Sequence, residues 1–306
     1  MSAFLTESLA GRVLFAIPKK GRLYEKCLQL LAGADVQFTR SNRLDVCLVR
    51  NHNMALVFLP AADIPRFVGE GNVDFGITGQ DMVAEADVNG LVSEVLALEF
   101  GKCKLQVQVP LAGDIKTVDD LVGRKVVTSF EVLAGQYFGE LDRKSAKGVQ
   151  TKIEYVGGSV EAACALGLAD GIVDLVESGE TMRAAGLHPI ETILTSQAVL
   201  IRSNKPKPSS DASHAALIDR ISQRIAGVVA AGKFVLCNYN IRRDMVPEAT
   251  KVTPGRRAPT VSPLDDPEWV AVSSMVLKAQ VADVMDRLQE IGASDILVVG
   301  LQNCRV

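Results

Sequence analysis

Two twelve-residue stretches decide the fold: VDFGITGQDMVA at residues 73–84 and VDLVESGETMRA at residues 173–184. They align without gaps, with Val, Asp, Gly, Met and Ala coinciding and with Thr78 and Ser178 as a near match. Each predicts a β-strand, a turn with a hydroxyl residue and a glycine, and the start of a helix. The repetition favours two related α/β lobes, each presenting a helix N-terminus to a cleft between them. Two units of one parallel sheet with ordinary strand-to-helix turns would give the same pattern, and the sequence leaves that alternative open.

Short apolar runs alternate with amphipathic stretches around both repeats. Arg12–Pro18 predicts a buried strand followed by a helix over Leu23–Ala32, and the alternation restarts after Leu105–Val109. This order predicts a largely parallel sheet with helices on its faces. Beyond the polar segment Ser203–Ser213, which contains two prolines, the order βαββαβ predicts a ferredoxin-like module. The expected segments are a first lobe over residues 1–105, completed by residues 189–203, a second lobe over 106–188, a linker over 204–212 and the C-terminal module over 213–306.

The composition excludes several classes of protein. The 306 residues carry 33 Lys+Arg against 36 Asp+Glu, a formal net charge of −3, whereas a nucleic-acid binder needs a basic excess. No apolar run is long enough for a transmembrane helix, and Thr6, Glu7 and Ser8 interrupt the region where a signal peptide needs an apolar core. The six cysteines are scattered without a C-x-x-C pair, which argues against zinc and redox-dithiol sites and favours a reducing compartment. We therefore expect a cytoplasmic enzyme.

The turn that follows the strand of the second repeat has the residues of an anion site. Gly179 lets the backbone approach a ligand closely, and free N–H groups of residues 179–181 would point outward at the start of a helix. Hydroxyls of Ser178 and Thr181 add two donors, and this combination suits a phosphate monoester. The nearby carboxylates that could accept hydrogen bonds from ribose hydroxyls are Asp170, Asp174 and Glu177. A well-capped helix after a strand would show the same residues, and this alternative also stays open.

Basic and polar residues at other predicted strand ends are further candidates. The turn Lys19–Arg22 follows the first strand, where an α/β sheet binds anionic ligands, although a solvated loop has the same composition. Asp74 lies in an apolar strand, where a carboxylate is costly unless it is paired or used. Ser129 and Glu161 stand at predicted helix starts, either as part of a helix cap or as ligand contacts. No spacing typical of a metal site or a nucleophilic triad is found among the histidines His52, His188 and His214.

The second repeat and its flanks resemble the signature of the ATP phosphoribosyltransferase family in its long form. The signature positions, all matched without a gap, are Glu161, Gly167, Ala169, Ile172, Asp174 and the closing ESGETM of Glu177–Met182. The resemblance extends to AIPKKGRL at 16–23, EFGKCKL at 99–105, VVTSF at 126–130 and GASDILVV at 292–299. It spans essentially the full chain, and the ending NCRV is most similar to fungal members.

The resemblance implies a fold, an activity and an assembly. The implied α/β fold has two periplasmic-binding-protein-like lobes of type II with the active site between them, and a ferredoxin-like regulatory domain that binds histidine. The implied reaction transfers the 5-phosphoribosyl group of phosphoribosyl pyrophosphate (PRPP) to N1 of ATP and releases pyrophosphate, as the committed step of L-histidine biosynthesis with feedback inhibition by histidine. Mg²⁺ on the pyrophosphate is the implied cofactor, AMP is a further candidate inhibitor, and a homohexamer built from dimers is the implied assembly.

The resemblance also implies roles for individual residues. The implied contacts to the 5-phosphate of PRPP are Glu177, Ser178, Gly179, Glu180, Thr181 and Met182, together with Ser129. The implied catalytic residues, beside the ribose, are Asp170, Asp174 and Glu161. The ATP half of the cleft takes Lys19, Arg22 and Asp74, and the candidate histidine contacts are Asp219, Ser273 and Ser274. Bacterial relatives often carry arginines where this chain has Phe58-Leu59-Pro60, which leaves a nucleotide contact from that loop open.

Two functions from other classes share much of this pattern. One is a solute-binding or effector-binding module with the same two lobes and no chemistry. The other is a regulatory protein whose working part is residues 213–306. The intact ESGETM and KKGR turns favour catalysis over both.

Overall fold

The computed structural model describes residues 8–40, 44–145, 148–205 and 212–305. The strands are β1 (Val13–Pro18), β2 (Val46–Leu48), β3 (Met54–Leu59), β4 (Phe75–Gly79), β5 (Val92–Ala97), β6 (Cys103–Pro110), β7 (Lys125–Thr128), β8 (Lys152–Tyr155), β9 (Gly171–Val176), β10 (Leu187–Ser196), β11 (Ala198–Ser203), β12 (Phe234–Arg242), β13 (Thr260–Pro263), β14 (Trp269–Leu277) and β15 (Ser294–Gly300). The α-helices are α1 (Tyr24–Gly33), α2 (Ile64–Gly69), α3 (Gln80–Glu85), α4 (Glu131–Lys144), α5 (Ala162–Ala165), α6 (Glu180–Ala184), α7 (Ala212–Lys233), α8 (Val246–Val252) and α9 (Val281–Glu290). Within the described ranges no helix is both long and apolar enough to cross a bilayer. Thr6, Glu7 and the linker positions 206–211 lie outside the described residues.

The first lobe is built on a six-stranded sheet in the order β2-β3-β1-β4-β11-β5. Strand β1 lies in its middle because the run VLFAIP is almost entirely buried, and Phe15 stacks on Phe75 with ring centroids 3.9 Å apart. Strands β3 and β4 run parallel to β1, whereas β2, β11 and β5 pair antiparallel with their neighbours. The expectation of a largely parallel sheet is therefore wrong. The sheet is mixed because β11 returns to it from the second lobe in the opposite direction and pairs with β5.

The second lobe is built on a five-stranded sheet in the order β10-β6-β9-β7-β8. Its central β7 and β9 are parallel, and β6 and β10 are antiparallel. Phe130 and Phe138, at and within α4, cover one face of this sheet. Val160 and Met182 lie in the cluster on the other face, beside α5 and α6. Helices on both faces are the α/β layer arrangement that the alternating pattern predicts.

The two repeats lie in two different sheets, which excludes the alternative of one parallel sheet. Their helices begin at matching positions, since α3 starts at Gln80 and α6 at Glu180. Their strands do not begin at matching positions: Asp74 precedes β4, whereas Asp174 lies inside β9. The ungapped alignment is therefore correct for the helix starts and incorrect for the strands.

Two chain crossings join the two sheets. The first runs from β5 to β6 through Gly101, and the second runs from β10 to β11 through Gln197. Of residues 189–203, expected to complete the first lobe, Ala198–Ser203 joins the first sheet. The rest of the segment lies mostly in β10 and pairs with β6 in the second sheet.

A second compact unit comprises Gln29–Val36 and Asp219–Val306. Its four-stranded antiparallel sheet has the order β13-β14-β12-β15. With α8 and α9 between the strands in the chain, this is the ferredoxin-like arrangement that the sequence predicts. The core of the unit includes Tyr239 and Leu288, which are almost fully buried. Its histidine-binding role remains a prediction.

The chain end packs closely on α7 within this second unit. Asn303 Nδ2 donates to the carbonyl oxygens of Gly33 and Arg224, at 3.0 and 3.1 Å. The N–H of Cys304 donates to the carbonyl oxygen of Gly227 at 3.1 Å. A Cβ atom on Gly227 would lie 2.6 Å from the Cys304 carbonyl oxygen, so this glycine permits the close approach.

Candidate active site

The turn between β9 and α6 lies at the carboxyl edge of the second sheet, where Glu177, Ser178 and Glu180 are exposed and Gly179 is buried. Gly179 has φ +75°, in the left-handed region that favours glycine, and a Cβ atom there would lie 2.7 Å from Arg183 Nη1. Arg183 Nη2 donates to the carbonyl oxygen of Ser178 at 3.0 Å, and Ser178 Oγ accepts the N–H of Glu180 at 3.3 Å. These contacts fix the shape of the turn, and Thr181 is exposed beside it.

Two of the residues predicted to contact PRPP have side chains that are used inside the lobe. Met182 is 8% exposed and packs in the cluster with Val160 and Leu187, so its side chain anchors α6 and does not face a ligand. Ser129 Oγ donates to the carbonyl oxygen of Val156 at 2.6 Å. Ser129 nevertheless follows β7, which runs parallel to β9, and it therefore lies at the same sheet edge as the Gly179 turn.

The carboxyl of Asp174 lies on the face of β9 that α5 and α6 cover. It lies on the same face of the strand as Ile172, two residues earlier, which packs in that cluster. Asp174 Oδ1 accepts the N–H of Leu175 at 2.8 Å. The pKa of Asp174 is raised to about 6: burial is the main cause, the hydrogen bond from Leu175 opposes it, and the charge of Glu161 at the start of α5 adds to it. A raised carboxyl pKa near a candidate ligand turn is typical of functional sites.

Asp170 and Asp74 lie at the opposite edge of their sheets from the predicted site. Asp170 Oδ2 accepts the N–H of Lys125 at 3.0 Å, and Asp170 Oδ1 lies 3.6 Å from Arg124 Nη1. Asp74, 6% exposed, accepts the N–H of Leu14 at 2.7 Å in the same manner. Each carboxylate holds the start of a neighbouring strand. Because β9 separates Asp170 from the Gly179 turn by roughly 20 Å at about 3.3 Å per residue, the geometry does not bring Asp170 to the turn. Asp74 likewise lies at the opposite edge of its sheet from Lys19, and the roles assigned to both acids stay predictions.

Arg22 brings the predicted ATP half and the predicted PRPP half together. Its Nη1 donates to Glu177 Oε1 at 2.8 Å and to the carbonyl oxygen of Gly101 at 3.1 Å. Burial lowers the pKa of Arg22, but the hydrogen bond to Glu177 is among the contacts that outweigh it, so the pKa is raised. Lys19 lies at the end of β1 with Nζ 3.9 Å from Asp45 Oδ2, a weaker contact.

A second link between the lobes runs from α3 to α4. Glu85 Oε1 and Oε2 accept the N–H groups of Val132 and Leu133, at 2.9 and 3.0 Å. A carboxylate at a helix N-terminus is stabilising because the free N–H groups carry partial positive charge. The sequence shows no signal for this contact, since Glu85 and Val132 are far apart in the chain.

Sequence reasoning missed three further residues near the candidate site. Asp81 and Ser196 are almost completely buried where the two crossings meet. Arg40 Cζ lies 3.8 Å from the ring centroid of Phe58. The ring of Phe58, near the end of β3, is thus covered by a guanidinium from elsewhere in the chain. A buried acid in the first turn of a helix is indistinguishable in sequence from an ordinary helix-start acid, which explains why Asp81 gave no signal.

The candidate histidine contacts are separated on the second unit. Ser273 and Ser274 are neighbours in β14, so their side chains face opposite sides of the sheet. Ser274 is 3% exposed and Oγ donates to the carbonyl oxygen of Thr253 at 3.0 Å. Asp219 is exposed on α7. One ligand cannot contact both serine side chains, and histidine binding at these residues remains a prediction.

Among the residues that the structure describes, no three His, Cys, Asp or Glu side chains come together as a group that could hold a metal ion. All six cysteines are free thiols.

Comparisons with known proteins agree with this architecture. A family model described as ATP phosphoribosyltransferase matches residues 60–227, and a model of the HisG C-terminal domain matches residues 231–303. A protein from Yarrowia lipolytica named ATP phosphoribosyltransferase is 59% identical over 302 residues, covering 99% of each chain. Relatives of the same name from Schizosaccharomyces pombe and Saccharomyces cerevisiae are 53% and 55% identical, over 98% and 99% of this chain and 99% of each of their own chains.

A solved structure shows the same fold. A chain of the ATP phosphoribosyl transferase complex from Thermotoga maritima superposes with a TM-score of 0.58 at 22% identity, covering 70% of this chain and 98% of its own. With its two periplasmic-binding-protein-like α/β lobes, its ferredoxin-like sheet and its full-length fungal relatives, the chain belongs to the ATP phosphoribosyltransferase family.

Proposed function

We propose that this chain transfers the 5-phosphoribosyl group of PRPP to N1 of ATP and releases pyrophosphate, as the committed step of L-histidine biosynthesis. The observation that carries the proposal is the left-handed Gly179 turn of the second lobe, which lies next to Arg22 of the first lobe through the 2.8 Å contact with Glu177. A glycine turn at the start of a helix and an adjacent guanidinium suit two phosphate-bearing substrates that meet in one cleft.

The 5-phosphate of PRPP is proposed to bind the turn that runs from Ser178 to Thr181. The left-handed Gly179 sets the backbone shape of the turn, and the exposed Thr181 supplies a hydroxyl donor. Glu177 and Glu180 flank the turn and are suited to accept hydrogen bonds from ribose hydroxyls. Met182 contributes through packing and Ser129 through its position at the same edge.

The proposed mechanism relies on positioning and on electrostatic stabilisation. Adenine N1 already carries a lone pair, so its attack on C1 of the ribose needs no strong general base. Asp174, with a pKa of about 6, is largely ionised at pH 7.5 and can stabilise the positive charge that develops on the sugar. Glu161, whose charge acts on Asp174, is proposed to lie beside the ribose. Correct placement of the two reactants is worth up to about 7–11 kcal/mol of the barrier.

Mg²⁺ is proposed to bind the active site together with PRPP, coordinated by the pyrophosphate, whose hard oxygen atoms this ion prefers as ligands. Bound there, it offsets the negative charge of the leaving group. On the nucleotide side, Lys19 and Arg22 are proposed to contact the phosphates of ATP. Asp74 is not part of this proposal because it holds the start of β1.

Regulation and assembly extend the proposal beyond the catalytic lobes. The ferredoxin-like unit is proposed to bind histidine as feedback inhibitor, with AMP as a second inhibitor and a homohexamer as the assembly. The match of the C-terminal family model to residues 231–303 supports a role for this unit in the same enzyme. A cytoplasmic location is proposed on the basis of the six free thiols, which suit a reducing compartment.

An absorbance assay of adduct formation tests the activity. The full chain is supplied with ATP, PRPP and Mg²⁺, with each substrate omitted in turn and with histidine added in a parallel series. The expected result is product only when both substrates are present, and less of it with histidine. If no product forms under any of these conditions, the proposed activity is refuted. If histidine leaves the rate undiminished, only the proposed feedback inhibition is refuted.

A further inference from the structure

A buried carboxylate lies at the junction of the two lobes. Asp81, in the first turn of α3, is 0% exposed, and Ser196, the last residue of β10, is 2% exposed. Ser196 Oγ donates to Asp81 Oδ1 at 2.5 Å and accepts the N–H of Asp81 at 2.9 Å. The helix of the first lobe is therefore fastened to the end of a strand of the second.

The other carboxylate oxygen is incompletely satisfied. Among the residues that the structure describes, Asp81 Oδ2 is buried and has no hydrogen-bond partner. The nearest cation is Arg22, whose Nη2 lies 3.6 Å from this oxygen. A buried ionised oxygen without a hydrogen bond is costly, so a residue of this kind is difficult to explain by stability alone.

The hydrogen bonds of Arg22 explain why the carboxylate matters to the site. Its Nη1 donates to Gly101 on the first crossing and to Glu177 beside the proposed PRPP turn. The side chain of Glu177 is 48% exposed, and its carboxylate is the contact that an incoming phosphate group can replace. Arg22 then keeps its contacts with Asp81 and Gly101, and the ligand replaces its contact with Glu177.

We infer that Asp81 is the positioning residue for Arg22: it holds the planar guanidinium at the mouth of the cleft so that Arg22 can contact a phosphate-bearing substrate. The inference rests on the proposed function for the identity of that substrate. The effect of Asp81 on ligand affinity depends on the presence of Arg22. This dependence distinguishes a positioning role from a general contribution of Asp81 to folding. A planar fork needs orientation more than a point charge does, so Arg22 should depend on Asp81 more than a lysine at the same position would.

The test measures ligand affinity by isothermal titration calorimetry on the full chain, with ATP and PRPP as separate probes. Asp81→Asn keeps the shape of the side chain and removes its charge. We expect it to weaken binding of at least one of the two probes by about tenfold to a hundredfold, the range expected for losing one interaction with a charged group. In the Arg22→Lys background the same substitution should change affinity by less than about threefold.

Two further variants sharpen the comparison. Asp63→Asn is the matched control, since it neutralises an exposed carboxylate of the same lobe and should leave both affinities unchanged. Ser196→Ala leaves the Asp81 charge in place and removes the hydroxyl that orients it, so it should weaken binding in the same direction and again depend on Arg22. It also serves if Asp81→Asn fails to fold.

The outcomes separate the two claims. The positioning role is overturned if Asp81→Asn lowers ligand affinity equally in the Arg22 protein and in the Arg22→Lys background. It is also overturned if neither Asp81→Asn nor Ser196→Ala lowers ligand affinity. Turnover by the unaltered chain is measured independently, and its absence overturns the proposed function. The affinity comparison decides the positioning role whichever way the turnover measurement ends.

Discussion

Asp174 is proposed to assist catalysis at a cost in stability, and Asp174→Asn separates these two effects. Burial, with the charge of Glu161, raises the pKa of Asp174 from its ordinary 3.8 to about 6. The folded chain therefore binds this proton more tightly than the unfolded chain, and the free energy of unfolding falls as pH rises between these two values. At 1.36 kcal/mol per pKa unit, the cost is about 3 kcal/mol at pH 7.5 and about 1.5 kcal/mol at pH 5.

Asparagine retains an oxygen that can accept the N–H of Leu175, and it carries no charge. Asp174→Asn should therefore raise the free energy of unfolding, by about 3 kcal/mol at pH 7.5 and by about half as much at pH 5. Urea unfolding followed by circular dichroism at the two pH values measures this gain. Initial rates on the same protein should fall strongly, since the proposed stabilisation of the ribose cation is lost.

Asp170→Asn is the matched control at the other end of β9. Its carboxylate accepts the N–H of Lys125 and faces Arg124, so neutralising it should lower the free energy of unfolding by about 1 kcal/mol at pH 7.5. It should leave turnover per folded molecule nearly unchanged. A gain from Asp174→Asn that is equal at the two pH values, or a loss at pH 7.5, would refute the reasoning about Asp174.

Three further predictions follow from backbone and capping contacts. Gly179→Ala should raise KM for PRPP about fivefold to thirtyfold because a left-handed alanine costs about 1–2 kcal/mol. Gly135→Ala in the helix α4 of the same lobe should leave this KM unchanged, and equal effects of the two substitutions would contradict the assignment of the turn. Glu85→Gln should lower the free energy of unfolding by about 1 kcal/mol in urea titrations, since a charged cap of α4 is lost, and an unchanged midpoint would count against that contact. Gly227→Ala should lower the melting temperature because the new Cβ displaces the chain end. Gly232→Ala on the same helix, which has open space around it, should raise the melting temperature slightly. A higher melting temperature for both variants would show that the chain end is loosely held.

The lobes and the C-terminal sheet were predictable because their signals are local. The two repeats predict helix starts at matching positions, and the βαββαβ order predicts the ferredoxin-like sheet. Strands β5, β10 and β11 escaped prediction because sheet membership is decided by partners far away in the chain, and β5 is mostly exposed. The helix predicted to start at Glu161 is short: it ends at Ala165, shortly before Gly167 turns the chain at φ +68°.

The sequence predicts which residue types form the candidate site, but it predicts their arrangement in space only in part. The glycine and hydroxyls of the 177–182 turn indicate an anion site from sequence, and the structure gives Gly179 the required left-handed conformation. The acids were harder to assign because the sequence does not show where β9 begins. Asp170 and Asp174 both read as carboxylates near a strand end, yet one precedes the strand and the other lies inside it. The link from Arg22 to Glu177 joins distant segments and has no sequence signal.

The carboxylates that precede β4 and β9 have a consequence for how this protein tolerates change. Asp74 and Asp170 secure each sheet at its amino edge, while the proposed substrate contacts of β9 lie at the carboxyl edge, roughly 20 Å away. The residues that stabilise the fold and the residues proposed to contact substrate thus lie at opposite ends of the same strand. Mutational libraries confined to the 177–181 loop should therefore alter substrate preference while leaving expression yield largely intact, and libraries at the amino edge should do the reverse. This separation makes the scaffold suitable for redesign of its ligand preference.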